Sequence, residues 1–313
     1  MHIDLYLVLG SAVVGLLVGL TGMGGGALMT PMLVLLFGVT PSAAIASDLM
    51  AALFMKPAGV AIHWRRKTVN QDVVKFLCFG SVPAAFLGTY VMHLLGQSAL
   101  AEHRLQILLG SALIIGALAI FYRSVFIESP PSGIDHAPVR RLPTVFIGAV
   151  GGFMVGLTSV GAGSLILVLL VMVYPTLSNN QLVGTDLAQS LPLTLSATLG
   201  TLLFSHVNFS LTTSIIIGSV PMVIVGSLLS SRSNGFLLRR IITGVVLLSG
   251  LKYVGVPTTE LGVGAVFVIA LIAFITVRHW LRAQRAGASG AALVPESIES
   301  VVALLPSRLD GDL

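Results

Sequence analysis

The residues best suited to chemistry are two glycine clusters and three ionisable side chains, all set in apolar sequence. Gly22-Met-Gly-Gly-Gly26 and Ser159-Val-Gly-Ala-Gly163 interrupt long hydrophobic runs. A glycine costs about 1 kcal/mol against alanine inside a helix, so both clusters are expected to break one. In hydrocarbon such a break is tolerated only where protein buries it or it lines a wet cavity. An arm restarting at Gly26 or Gly163 would present free N–H groups and the positive end of its dipole, which is anion-binding chemistry. Neighbouring hydroxyls add donors. The candidate anion site is therefore Thr21, Gly22, Gly24, Gly25, Gly26, Thr158, Ser159, Gly161, Gly163 and Ser164.

Asp48, Lys56 and Asp186 lie within apolar segments, with Gln189 three residues after Asp186. Ionisable groups inside a membrane are costly and mark ion or proton paths by default. Eight residues of helix separate Asp48 from Lys56 by ~12 Å on nearly one face. That is too far for a direct pair and suits two points on one polar pathway. Pro57 should kink the helix just after Lys56. These four residues are assigned to coupling or to the pathway. The competing structural reading makes the glycines points of close helix packing and each carboxylate a cap for a neighbouring break.

Other chemistries find little support. No Gly-Lys-Ser/Thr follows either cluster, so a nucleotide loop is not expected. The histidines are scattered near segment ends without metal-ligand spacing, and no metal or cofactor is expected. A hydrolytic intramembrane enzyme would need a base beside Ser159 or Ser164, and no histidine falls in those segments.

The elements that must position these groups are duplicated. Gly15–Leu28 reads GLLVGLTGMGGGAL and Gly152–Leu165 reads GFMVGLTSVGAGSL, identical at 8 of 14 positions with an offset of 152 − 15 = 137. GSVPAAFLG at Gly80–Gly88 returns as GSVPMVIVG at Gly218–Gly226, offset 138, and the pairs Asp48/Asp186 and Asn70/Asn208 share that offset. Short, glycine-interrupted segments at matching places in two halves point to a transporter's binding site.

Composition supplies the setting. The 313 residues are 55% hydrophobic and 9% charged, against roughly a quarter charged in soluble proteins. Apolar runs fall near 5–37, 41–62, 73–95, 104–122, 143–174, 181–205, 209–230, 238–255 and 260–280. A helix of about 20 residues spans the hydrocarbon core. The runs 5–37 and 143–174 are too long for one straight span and short for two, so each is expected to fold as a hairpin of short helices or a span with a re-entrant arm. Cys78 is the single cysteine, which excludes an internal disulfide. The net charge of +5 sits at segment ends rather than in a nucleic-acid-binding patch. No signal peptide is evident, and no feature specifies an oligomer.

Loop charges orient the halves. Arg65, Arg66 and Lys67 fill one loop, while its counterpart 205–210 has no Lys or Arg; the following loops reverse this, with Arg232, Arg239 and Arg240 in the second half. Basic loops lie on the cytoplasmic side, so the halves are expected to have opposite topology. The fold expected is an all-α polytopic membrane bundle of two inverted repeats with glycine-broken hairpins. Its parts are an N-terminal repeat 1–123, a cytoplasmic linker 124–141, a C-terminal repeat 142–257, an extra helix 258–285 and a flexible tail 286–313.

The stretches GLTGMGGG, ASDLMAALFMKPAGVAIHWRRKTVN and VGTDLAQSLPLTLSATLG, with the paired GSVP segments, resemble the TauE/SafE family of bacterial sulfite and organosulfonate exporters over about 10–255. The Asp48–Lys56–His63 pattern resembles a subset of that family. The resemblance implies a multi-pass inner-membrane transporter, not an enzyme. It also implies export of a small sulfur-containing or carboxylate anion coupled to the proton-motive force. A passive anion channel is the alternative.

Overall fold

A computed structural model describes residues 4–21, 25–95, 99–126, 139–205, 207–230, 236–257 and 260–261. Met1–Ala265 forms one compact unit. Gly22 and Gly24 of the first cluster, most of the 124–141 linker and nearly all of the expected extra helix and tail lie outside the described residues.

The described residues form ten helices: α1 Leu5–Thr21, α2 Gly26–Leu35, α3 Pro41–Arg65, α4 Gln71–Leu95, α5 Ala99–Phe126, α6 Arg141–Thr158, α7 Leu165–Val173, α8 Asn179–Phe204, α9 Phe209–Ser230 and α10 Phe236–Tyr253. Six of them contain a span long and apolar enough to cross a membrane: α3, α4, α5, α6, α8 and α9. Local signals start several helices. Ser178 and Gln181 form a capping box at α8. The side-chain oxygens of Asn70 and Asn208 accept from the amides of Val73 and Leu211 at the starts of α4 and α9. The matched pair of asparagines thus caps matched helices.

Polarity is arranged as a bilayer requires. Leu142, Phe79 and Leu203 point outward, whereas Asp48, Asp186, Gln189, Thr30 and Ser81 are buried. Apolar side chains face lipid and hydrogen-bonding groups face each other.

Both long apolar runs double back. The Tyr174 hydroxyl, just beyond α7, accepts from the Arg140 amide at 3.0 Å and meets Thr144 at 2.5 Å, placing the end of α7 at the start of α6. Gly10 of α1 likewise packs against Met32 and Phe37 at the far end of α2. At 10 and 9 residues, the returning arms reach only ~15 Å, half the hydrocarbon thickness.

Glycines bring α1 onto α9 and α6 onto α4 at backbone contact. A Cβ on Gly15 would lie 2.5 Å from the Ser219 carbonyl oxygen, and one on Gly152 would lie 2.3 Å from that of Ser81. Gly19 meets Val223 as Gly156 meets Ala85, Gly80 meets Val145 as Gly218 meets Val8, and Gly88 meets Phe153 as Gly226 meets Leu16. Every contact recurs at the matching position, always between one half and the other. The packing reading therefore holds for these eight glycines.

Helix directions follow from such contacts. Between α3 and α8, Leu49 meets Thr198, Lys56 meets Ser190 and Thr194, and Gly59 meets Leu187, so the two run antiparallel. Between α5 and α10, Gly110 meets Tyr253 and Val254 while Ile114 meets Gly250, again antiparallel.

Candidate functional site

The two breaks meet. A Cβ on Gly26 would fall 1.9 Å from the carbonyl oxygen of Ser159, so the start of α2 lies directly on the end of α6. α6 closes with Ser159 in the left-handed region at φ 60°, its amide donating to the Val155 carbonyl. The chain then passes through Gly163 at φ +83°, where an L side chain would be strained, before α7 begins.

Asp48 of α3 sits at this junction, fully buried. Its Oδ2 accepts from Thr30 Oγ1 at 2.9 Å and Ser159 Oγ at 2.7 Å. One carboxylate thus ties the first arm to the second break. Its Oδ1 is buried without a partner, 3.8 Å from where a Cβ on Gly25 would lie.

Asp186 of α8 holds the second arm. Its Oδ2 accepts the Gly163 amide at 2.7 Å, and its Oδ1 accepts from Gln189 Nε2 at 3.3 Å. Gln189 is oriented in turn by Ser81, whose hydroxyl donates to its Oε1 at 3.0 Å.

Lys56 reaches from α3 onto α8. Its Nζ donates to Thr194 Oγ1 and, at 3.4 Å, to the Ser190 carbonyl. Among the described residues no carboxylate lies within 4 Å of it, although the charges of Asp186 and Asp48 both act on it. Lys56 and Thr194 are equivalent positions, 194 − 56 = 138, and they touch. Equivalent residues touch only where the two halves meet, so the lysine lies at their junction.

Several expected donors are otherwise engaged. The amide of Gly163 is not free, because Asp186 occupies it. The hydroxyls of Thr21 and Thr158 donate to carbonyls of their own helices, Leu17 and Met154. Both threonines shape the helix ends rather than offering a proton to a ligand. Ser159 donates to Asp48. Ser164, by contrast, has a buried hydroxyl without a partner at the start of α7. Gly25 lies beside Asp48, and Gly161 packs on Val155 behind the break. Of the pathway set, Asp48 and Asp186 reach the second break, Gln189 bonds Asp186, and Lys56 packs on α8 at Ser190 and Thr194.

Thr30 and Ser81 were not singled out from sequence. Each is a hydroxyl in an apolar segment within two residues of a proline, Pro31 and Pro83, and Ser81 lies in a duplicated motif. Those signals exist, but they do not name the partners.

The family model described as sulfite exporter TauE/SafE matches residues 7–253. The chain belongs to the TauE/SafE family. It is a multi-pass membrane transporter of that family. A probable membrane transporter protein of Bacillus subtilis, YjnA, is 39% identical over 248 residues, covering 77% of this chain and 96% of the relative. A second from Bacillus subtilis, YdhB, is 22% identical over 214 residues, covering 68% and 84%. One from Xylella fastidiosa is 28% identical over 251 residues, covering 77% and 90%. No solved structure matches. The match spans both breaks, both buried aspartates and Lys56, so the site described lies within the TauE/SafE unit.

Proposed function

We propose that this TauE/SafE transporter exports a small sulfur-containing or carboxylate anion across the plasma membrane, with Lys56 as the principal charge contact and transport coupled to the proton-motive force. The observation that carries this reading is the lysine's setting. An ammonium at a helix centre costs at least ~2.5 kcal/mol on insertion scales, so it needs a counterion. Here its hydrogen-bond partners are neutral, and it stands at the junction of the halves. The positive ends of α2 and α7 add attraction for an anion. At Gly163 an incoming anion would compete with Asp186 for the amide.

Two inverted repeats account for the arrangement. Equivalent helices α3 and α8 run antiparallel, as do α5 and α10, which is what a pseudo-two-fold axis in the membrane plane requires. Each break then serves as the start of a half-length arm facing its counterpart.

A melting-shift screen of sulfite, thiosulfate, sulfonates and carboxylates on the purified protein identifies the anion. Lys56→Met should weaken binding of any hit about tenfold or more, since a charge-assisted hydrogen bond is worth ~1.5–3 kcal/mol. Lys56→Arg should restore part of it, because the planar fork replaces a compact donor. Wild-type affinity and flux in Lys56→Met would show the lysine to be structural. Flux insensitive to a pH gradient in sealed vesicles would select a passive channel instead.

A further inference from the structure

We infer that Asp48 takes up a proton when the anion binds, so that proton and anion occupy the transporter together. This rests on the anion site proposed above and adds the sense of its coupling. The argument begins with what each buried carboxylate holds. Asp186 is held by a fixed backbone donor. The Gly163 amide reaches one oxygen at 2.7 Å, and the Gln189 side-chain amide reaches the other. A proton added to Asp186 would face an N–H that cannot accept it.

Asp48 is held differently. Both of its hydrogen-bond partners are hydroxyls, Thr30 and Ser159, and both sit on Oδ2. A hydroxyl donates or accepts by rotation, so neither is stranded when the carboxylate becomes a carboxylic acid. Oδ1 is buried and bare beside Gly25. An uncompensated buried carboxylate oxygen is expensive, and a proton on the carboxyl group removes that expense. Asp48 can therefore change protonation without breaking the junction it spans.

Charge supplies the second part. With both carboxylates ionised and Lys56 charged, the centre carries one net negative charge. A bound monoanion alone would make two, in a setting where unpaired charge is costly. One proton taken from solution onto Asp48 restores the starting value. Exchange in the opposite sense, with a proton leaving as the anion arrives, would increase the buried negative charge at each step.

Few other groups face Asp48. Lys56 lies two turns along α3, where the charges of Asp48 and of Asp186 on α8 both act on it. The arm α2, helix α9 and the break 159–164 carry no titratable side chain. On α5, Glu102 is engaged with Ser42 at the start of α3, and His103 and Arg104 lie in the same first turns. Tyr253 of α10 meets only the Thr30 carbonyl on that side, at 3.5 Å. A monoanion then crosses with its proton as a neutral pair, so its flux is coupled to the pH gradient and not to the membrane potential.

The test is calorimetric titration of the full-length protein in detergent with methanesulfonate and with ethanesulfonate, monoanions that do not titrate near neutral pH. Repeating it in buffers of different ionisation heat counts protons. The wild type should take up about one proton per anion, with affinity rising as pH falls by up to ~tenfold per unit. Asp48→Asn, which keeps an acceptor for both hydroxyls, should bind both probes with no uptake and a flat pH profile. Ser159→Ala removes a donor to the ionised form and should move the pH profile upward while uptake persists. Wild-type uptake in Asp48→Asn, release of protons on binding, or binding with no proton change would each overturn the inference while leaving the anion site intact. If Asp48→Asn does not fold, an unshifted profile in both Ser159→Ala and Thr30→Val would overturn it. Binding of neither probe by the wild type overturns the anion site and this inference with it.

Discussion

At the scale of single residues, the two aspartates are equivalent in sequence and different in use. Asp186 binds the backbone of its own half at Gly163, whereas Asp48 binds hydroxyls from both halves. The reason is local. Ser159 offers a hydroxyl where the first break has Gly22, and Gln189 offers an amide where the first half has Ala51. Asp186→Ala should leave the Gly163 amide and Gln189 without this acceptor, costing about 1–3 kcal/mol for a buried donor left unpaired. Thermal unfolding in detergent should show a lower midpoint for Asp186→Ala than for Asp48→Asn. Equal midpoints would mean that Asp186 does not hold the second arm.

At the scale of elements, the clusters divide into glycines that admit a neighbour's backbone and glycines that face the site. Gly26 belongs to the first kind, because Ser159 fills the place of its Cβ. Gly25 belongs to the second: it has ordinary helical φ −55°, and its Cβ would meet the flexible end of Met55 at 3.1 Å and Asp48 Oδ1 at 3.8 Å. Gly26→Ala should therefore force the breaks apart, destabilising the protein by ~1–3 kcal/mol, with reduced flux. Gly25→Ala should fold normally, since the methionine terminus can move. Paired melting and vesicle-flux measurements separate the two, and equal damage from both would contradict the contact between the breaks. The close-packing glycines of α1, α4, α6 and α9 make a similar point. The glycine pattern in the sequence holds both kinds, and only the neighbour tells them apart.

At the scale of the whole molecule, the proposal is one of topology. If the halves are inverted, cysteines placed in 64–70 should label from the cytoplasm and those in 205–210 from the opposite face, in a background with Cys78 replaced. The charge asymmetry of the loops and the antiparallel course of α3 against α8 both motivate this. Labelling of both loops from one side would remove the inverted-repeat reading, and with it the pseudo-two-fold junction at Lys56 and Thr194.

The sequence by itself determined the membrane setting, the family, the duplication and the breaks. Those follow from composition, period and offset, which are local or internally repeated quantities. It also carried the correct suspicion that each long apolar run turns back on itself, since the runs have the wrong length for straight spans. The tertiary structure alone decided partnership. That Asp48 reaches Ser159 across 111 positions, that Lys56 lies on Thr194 across 138, and that Gly163 is already occupied by Asp186 depend on two halves packing against each other. The helix period places a side chain on a face of its own helix, but which helix stands opposite, and at what height, is set by the close glycine contacts that bind one half to the other.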